Sequence, residues 1–113
     1  MSTDSWSEWS PFPDHRKREY LHAPFGAGCY ELRHRSDERL ILFGHGGNCA
    51  SRMSSLLPHP AGCGSRSNDQ KRDYVFSNIG DVEYRTLACA NVEDAKECER
   101  ELMRNRKEYI FRT

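Results

Sequence analysis

The 113-residue chain has no excess of either charge: 17 Lys and Arg stand against 17 Asp and Glu, a formal net charge of zero. That balance excludes a protein that holds nucleic acid by bulk electrostatics alone, although it leaves room for a localised basic face. No apolar run approaches the roughly 20 residues that cross a bilayer, and the N-terminal residues show no apolar core of a secretory signal. Membrane-spanning and secreted classes are therefore disfavoured. The five cysteines (Cys29, Cys49, Cys63, Cys89, Cys98) are odd in number and contain no C-x-x-C pair, so a disulfide scaffold is not expected. Reduced thiols in a cytoplasmic setting fit better. Internal repeats, low-complexity segments and internal linkers are also lacking.

What remains is the composition of one small folded domain. Apolar residues are 36% and charged residues 30%, polar for a globule but not a disordered composition. Residues 1–22 read as an N-terminal extension, partly docked or disordered. Isolated tails seldom carry two tryptophans, and this one has Trp6, Trp9 and Phe12. His15 to Tyr20 has the charge pattern of a short helix ending before Pro24.

Residues 23–113 read as the domain proper. Cys29 to His34 alternates as a strand, with Tyr30 and Leu32 on one face and Glu31 and Arg33 on the other. Ser36-Asp37-Glu38 is a turn, and Leu40 to Phe43 is a second strand buried on both sides. Asn48 caps a helix to about Leu57, and the Pro58-to-Gly64 stretch ends it. A second helix covers Asn68–Asn78, with Tyr74 and Val75 inward. A third strand covers Val82–Thr86, with Val82, Tyr84 and Thr86 on one side. Asn91 caps a last helix to about Asn105, and Tyr109 to Phe111 closes the chain as a short extended piece. The expected fold is a small α/β (α+β) domain, a three-stranded antiparallel sheet flanked by helices in the order β-β-α-α-β-α.

Two features carry chemistry. In the last helix Val92, Ala95, Cys98, Leu102 and Met103 form an apolar stripe, and Glu99 projects from within it. A carboxylate there must pair with a cation, bind a metal or become protonated. An arginine partner and a divalent cation are both open, since Mg²⁺ sites often use only one or two carboxylates. The second feature is the strand–glycine–helix junction Gly44-His45-Gly46-Gly47-Asn48. Glycines let backbone approach a ligand, and a helix start offers free N–H groups to a phosphate. It is not a Walker A loop, for Gly-Lys-Ser/Thr is missing. Arg52, one turn on, can face away from the core and meet a phosphate; a solvated surface arginine is the plain alternative. Cys49, His59 and Cys63 match no standard zinc spacing. His15, His22, His34 and His59 read as surface residues.

These features together resemble the GIY-YIG nucleases. Gly28-Cys29-Tyr30 and Leu42-Phe43-Gly44 stand like the family's Gly-Ile-Tyr and Tyr-Ile-Gly strands. Gly44 to Arg52 is similar to its Gly-Lys-Ser-x-Asn-Leu-x-x-Arg segment, with glycine, asparagine and arginine in register. Ala95-x-x-x-Glu99-x-x-Leu102, with Tyr109 after it, looks like the family's closing helix. The resemblance covers about residues 24–111 and implies a DNA endonuclease using Mg²⁺ (or Mn²⁺), in repair, restriction or mobile-element processing. Tyr30 would orient or deprotonate the water or act as nucleophile, Arg52 would stabilise the phosphate, and Glu99 would hold the cation. Leu42 replaces the second tyrosine and cannot share in proton transfer. His45 replaces the lysine and can act as a base near neutral pH. Tyr84 is a second candidate for the missing hydroxyl. Cys29 and Cys49 fall where the family has Ile and Leu, which reads as small core residues.

DNA would be held through its phosphates by Gly44, Asn48, Arg66, Lys71 and Arg72, with Arg33, His34 and Arg35 on the hairpin as a second basic group; balanced, solvated charges are the plain alternative, since acids are interspersed and the total is zero. A partner protein or homodimer would add the specificity that one small domain lacks. The alternative is a catalytically inactive nucleic-acid- or protein-binding module on the same fold, motivated by Leu42. Catalysis requires Tyr30, Arg52 and Glu99 to meet at one open cleft.

Overall fold

The fold is built around a hairpin. Strand β2 (Gly28–His34) and strand β3 (Leu40–Gly46) pair antiparallel, and β2 pairs on its other side with β4 (Val82–Ala88). The computed structural model describes residues 6–14, 25–54, 69–104 and 106–111. The expected helix at 15–20 lies outside them.

The hairpin turn is closed by local chemistry: the His34 N–H donates to Arg39 O at 2.8 Å, and the Arg39 N–H to Asp37 Oδ1 at 3.0 Å. Glu38 adopts a left-handed φ of 61° there. The sheet has four strands rather than three, because Ser10–Pro11 forms β1 beside β4, in the order β1-β4-β2-β3. Trp6, Trp9 and Phe12 dock with it. Proline suits this position because β1 is an edge strand and needs no donor on its open side.

Strand alternation sends side chains to two different layers. Tyr30, Leu32, Leu42, Val82 and Tyr84 join Phe12 in the main apolar cluster. Helix α1 (Cys49–Ser54) adds Cys49 and Met53, one turn apart, and α2 (Asp69–Ser77) adds Val75. Each fully buried large side chain contributes about 1.5–3 kcal/mol. Cys29 and Leu87 point the other way, where α3 (Val92–Met103) places Ala95 on them. Asn91 caps α3 by accepting from the Asp94 N–H at 2.9 Å, with Glu93 and Asp94 in the first turn favourable to the helix dipole. Of the expected α3 stripe only Ala95 is fully buried, and Val92 is exposed. A short 3₁₀ turn at Arg106–Glu108 then returns the chain to β3. Ile110 and Phe111 donate to Leu40 O and Ile41 O at 3.1 and 2.9 Å, holding the extended tail against the start of the edge strand. No helix among the described residues is long and apolar enough to cross a membrane.

Candidate functional site

The end of β3 is shaped by a missing side chain. Gly44 pairs with Tyr30, and a Cβ on Gly44 would lie 2.6 Å from Tyr30 Cζ. Glycine therefore lets the phenol lie flat against the edge strand on the α1 face. Gly28 does the same one rung along: a Cβ there would meet Leu87 O at 2.7 Å and Cys49 Cβ at 3.3 Å, blocking α1.

His45 follows Gly44 and so projects to the opposite, α3 face. There its Nδ1 lies 2.7 Å from Glu99 Oε2, with the two side chains 22% and 30% exposed. The carboxylate inside the apolar stripe has found a partner, and the partner is a histidine rather than an arginine. With a carboxylate accepting, Nδ1 carries the hydrogen and Nε2 is the ring atom left to meet a substrate. The pair is held from behind. Cys29 pairs with His45 across the sheet, and its thiol donates at 3.1 Å to Ala95 O, the carbonyl four residues before Glu99 on α3.

The structure joins His45 with Glu99 and does not join Tyr30 to them. Tyr30 is 7% exposed and belongs to the apolar cluster on the far face, with the edge strand between its hydroxyl and the His45–Glu99 pair. One open cleft holding both Tyr30 and Glu99 is therefore not formed, because residues 44 and 45 necessarily face opposite ways. Leu42 is 1% exposed in the same cluster. Tyr84, the other candidate hydroxyl, is 4% exposed with its ring edge-on to Phe12 at 5.7 Å and lies three residues from Leu87 along β4. It lies on the Tyr30 face of the sheet, away from the His45–Glu99 pair. Arg52 is the fourth residue of α1, but its side chain is outside the described set, as are Arg66, His59 and Cys63. Asn48 is exposed at the foot of α1. Lys71 and Arg72 are half-buried on α2. Tyr74 of that helix is bonded to His34, at the opposite end of β2 from Cys29. That anchor is about 16 Å along the strand from His45.

The rest of the α3 face holds charges that the sequence pattern does not show as buried. Glu31, 3% exposed, accepts from Arg85 Nε at 2.8 Å and Nη2 at 2.7 Å on Oε1, and from the Tyr109 hydroxyl on Oε2. Arg33 and Glu83, the next cross-strand pair, meet at 2.6 Å. Trp9 lies over Arg33 at 4.1 Å and over Arg85 at 4.7 Å, and Trp6 over Arg85 at 4.6 Å. Arg33 is thus occupied by Glu83 and Trp9 rather than left for a phosphate. Burial, reinforced by the Glu31 carboxylate, pushes the Tyr109 phenol well above its ordinary range. The neighbouring Cys98 thiol, with burial second, raises Cys29 strongly, and burial lifts Cys49 to about 12. These thiols are packing residues rather than nucleophiles.

Among the described residues no group of three or more His, Cys, Asp or Glu side chains could hold a metal. A single half-exposed carboxylate still suits a cation that keeps its waters and takes other ligands from a substrate phosphate. No protein-family model, curated protein or solved structure matches the chain.

Proposed function

We propose that this chain is a divalent-cation-dependent DNA endonuclease domain on a GIY-YIG-like fold, with its reaction centred on His45 and Glu99 at the end of β3 in place of the Tyr30–Glu99 cleft that the family resemblance requires and the fold does not form. The observation that carries this reading is the 2.7 Å contact between the two side chains, made across 54 residues of sequence and left partly open to solvent. In this reading His45 Nε2 takes the proton of the attacking water. Glu99 Oε2 holds Nδ1 and stabilises the imidazolium as it forms, which a carboxylate does best where water is partly excluded. Glu99 would also hold Mg²⁺ or Mn²⁺ with its remaining oxygen, and the bound cation would polarise the phosphoryl oxygen. Arg52 retains its proposed role at the phosphate, and Gly44 and Asn48 theirs as backbone-side contacts. Tyr30 becomes a positioning residue: its ring packs Gly44 and so sets the residue next to His45. The buried thiols support a reducing, cytoplasmic setting.

The test is nicking of supercoiled plasmid and branched DNA with Mg²⁺ or Mn²⁺. Wild type is expected to cut, and His45→Ala and Glu99→Ala to lose on the order of 10²–10⁴ in rate. Tyr30→Phe is expected to lose much less, since the ring rather than the hydroxyl is used. A wild type that cuts nothing across the panel sinks the proposal and favours the second reading, a binding module without catalysis. That reading is supported by the burial of Leu42 and Tyr30 on the far face. Zero net charge leads either version to a shallow dependence of DNA affinity on salt.

A further inference from the structure

A second histidine, read as a surface residue in the sequence, is enclosed at the other end of β2. The His34 side chain is 12% exposed, with Nδ1 2.9 Å from Asp81 Oδ2 and Nε2 2.6 Å from the Tyr74 hydroxyl. Asp81 is fixed in turn: the Ser36 N–H donates to Oδ1 at 2.9 Å and the Ser36 hydroxyl to Oδ2 at 2.8 Å. Those Ser36 hydrogen bonds, with His34 beside them, hold the Asp81 carboxyl below its ordinary range. An ionised Asp81 can only accept, so His34 Nδ1 carries the hydrogen, and in the neutral ring Nε2 presents a lone pair. Tyr74 is then the donor, and its oxygen is polarised toward a base that a third group orients. This is the general arrangement of an activated nucleophile: hydroxyl, imidazole and carboxylate in series within hydrogen-bond reach.

The surroundings favour an anionic electrophile. Lys71 lies one turn before Tyr74 on the same side of α2. Arg35 is exposed, and its own N–H bonds Asp81 O at 2.7 Å, bringing a second cation beside the series. Phe111 packs edge-on to the Tyr74 ring at 5.5 Å, which holds the ring while leaving the residue half-buried.

We propose that Asp81, His34 and Tyr74 form a second reactive centre, in which the Tyr74 hydroxyl is a nucleophile toward phosphate esters. Tyr74 Oη bonds to phosphorus as His34 Nε2 takes its proton. The bond from phosphorus to the leaving oxygen breaks with the electron pair on that oxygen. His34 returns the proton to it, and Asp81 stabilises the imidazolium in between. The product is a phosphotyrosyl ester and a free alcohol or phenol. Water then attacks phosphorus as the same imidazole takes its proton, the bond from phosphorus to Tyr74 Oη breaks with the electron pair on that oxygen, and the imidazolium returns the proton to it. No metal takes part, which separates this centre from the one at His45.

The experiment is a burst assay of the full chain with bis(4-nitrophenyl) phosphate in EDTA. Wild type is expected to release one nitrophenolate per chain and to carry the matching adduct on Tyr74 by peptide mass spectrometry. His34→Asn is expected to slow the burst by about 10²-fold, and Tyr74→Phe to abolish it. No burst in the wild type, an adduct elsewhere, or a burst that survives Tyr74→Phe overturns the proposal. If Tyr74→Phe does not fold, as judged by far-UV circular dichroism, the position of the wild-type adduct decides alone. Chelation keeps the outcome independent of DNA cutting at His45.

Discussion

The two faces of the sheet are covered in opposite ways. Behind Tyr30, Leu32 and Leu42 the α1–α2 face is an apolar cluster closed by Phe12, Met53 and Val75. The α3 face, one residue away along every strand, carries Glu31, Arg33, Glu83 and Arg85 as cross-strand pairs under two tryptophans, and His45 with Glu99 at its rim. An apolar face is stable because it sheds water, and its energy is spread over many weak contacts. A charged face tolerates burial only while each group keeps its partner, so its energy is concentrated in a few bonds. The reaction proposed at His45 and Glu99 belongs to the second face, whereas the Asp81–His34–Tyr74 series lies at the far end of the first, where Tyr74 meets the apolar cluster.

The largest effect should come from breaking that face on one side only. Glu31→Leu strands Arg85 and the Tyr109 hydroxyl and is expected to cost about 3–5 kcal/mol in chemical denaturation. Leu32→Ala, on the apolar face, is expected to cost a similar 2–5 kcal/mol or so. The two differ in rescue. Adding Arg85→Met and Tyr109→Phe to Glu31→Leu should recover most of the loss, whereas a Leu32→Ala cavity has no partner to remove. If the triple variant is no better than the single one, the α3 face is not held by paired charges.

Gly44→Ala tests the seam between the faces. It drives a methyl into the Tyr30 ring, and a loss of about 1–3 kcal/mol is expected, relieved by Tyr30→Leu. A stability equal to wild type would show that the ring does not rest on Gly44.

Titration separates the faces again. Tyr109 is raised in the folded state, so its stabilising contribution is present below the unfolded value near 10 and falls away as pH rises beyond it. Thermal melting should therefore weaken above about pH 10 in wild type and be flatter in Tyr109→Phe. Asp81 is lowered, with the opposite sign: its contribution is present above the unfolded value near 3.9 and is lost as pH falls below it. Asp81→Asn should remove that part of the acid limb. The smallest effect is at the hairpin. Glu38→Gly relieves a left-handed residue at the loss of one exposed ion pair to Arg33, 3.6 Å, and is expected to stabilise by about 0.5–1 kcal/mol.

How far the sequence could be read depended on the range of the interaction. Asn91, with Glu93 and Asp94 behind it, announces α3 because a cap and the residue it bonds are three positions apart. The alternation from Cys29 to His34 separates Tyr30 from Glu31 for the same reason. Glu99 stands out within its stripe, but the stripe could not say whether a cation, a metal or an imidazole would meet it. His34 reads as a surface residue in the sequence because its partner Asp81 is 47 residues away, and no local pattern marks a histidine that is held from afar. Alternation puts Glu31 on the face opposite Tyr30, yet its burial depends on Tyr109, 78 residues later.

Length, neutral charge, scattered cysteines and periodicity by themselves determine one small α+β domain with two faces to its sheet, because backbone geometry and local propensity act over a few residues. Only the tertiary structure decides which groups share a face. It sets His45 against Glu99, parts Tyr30 from both, closes Asp81, His34 and Tyr74 into a series, and draws residues 6–14 onto β4. Each is a contact between distant segments, fixed by sheet register and by the need of every buried charge to keep a partner.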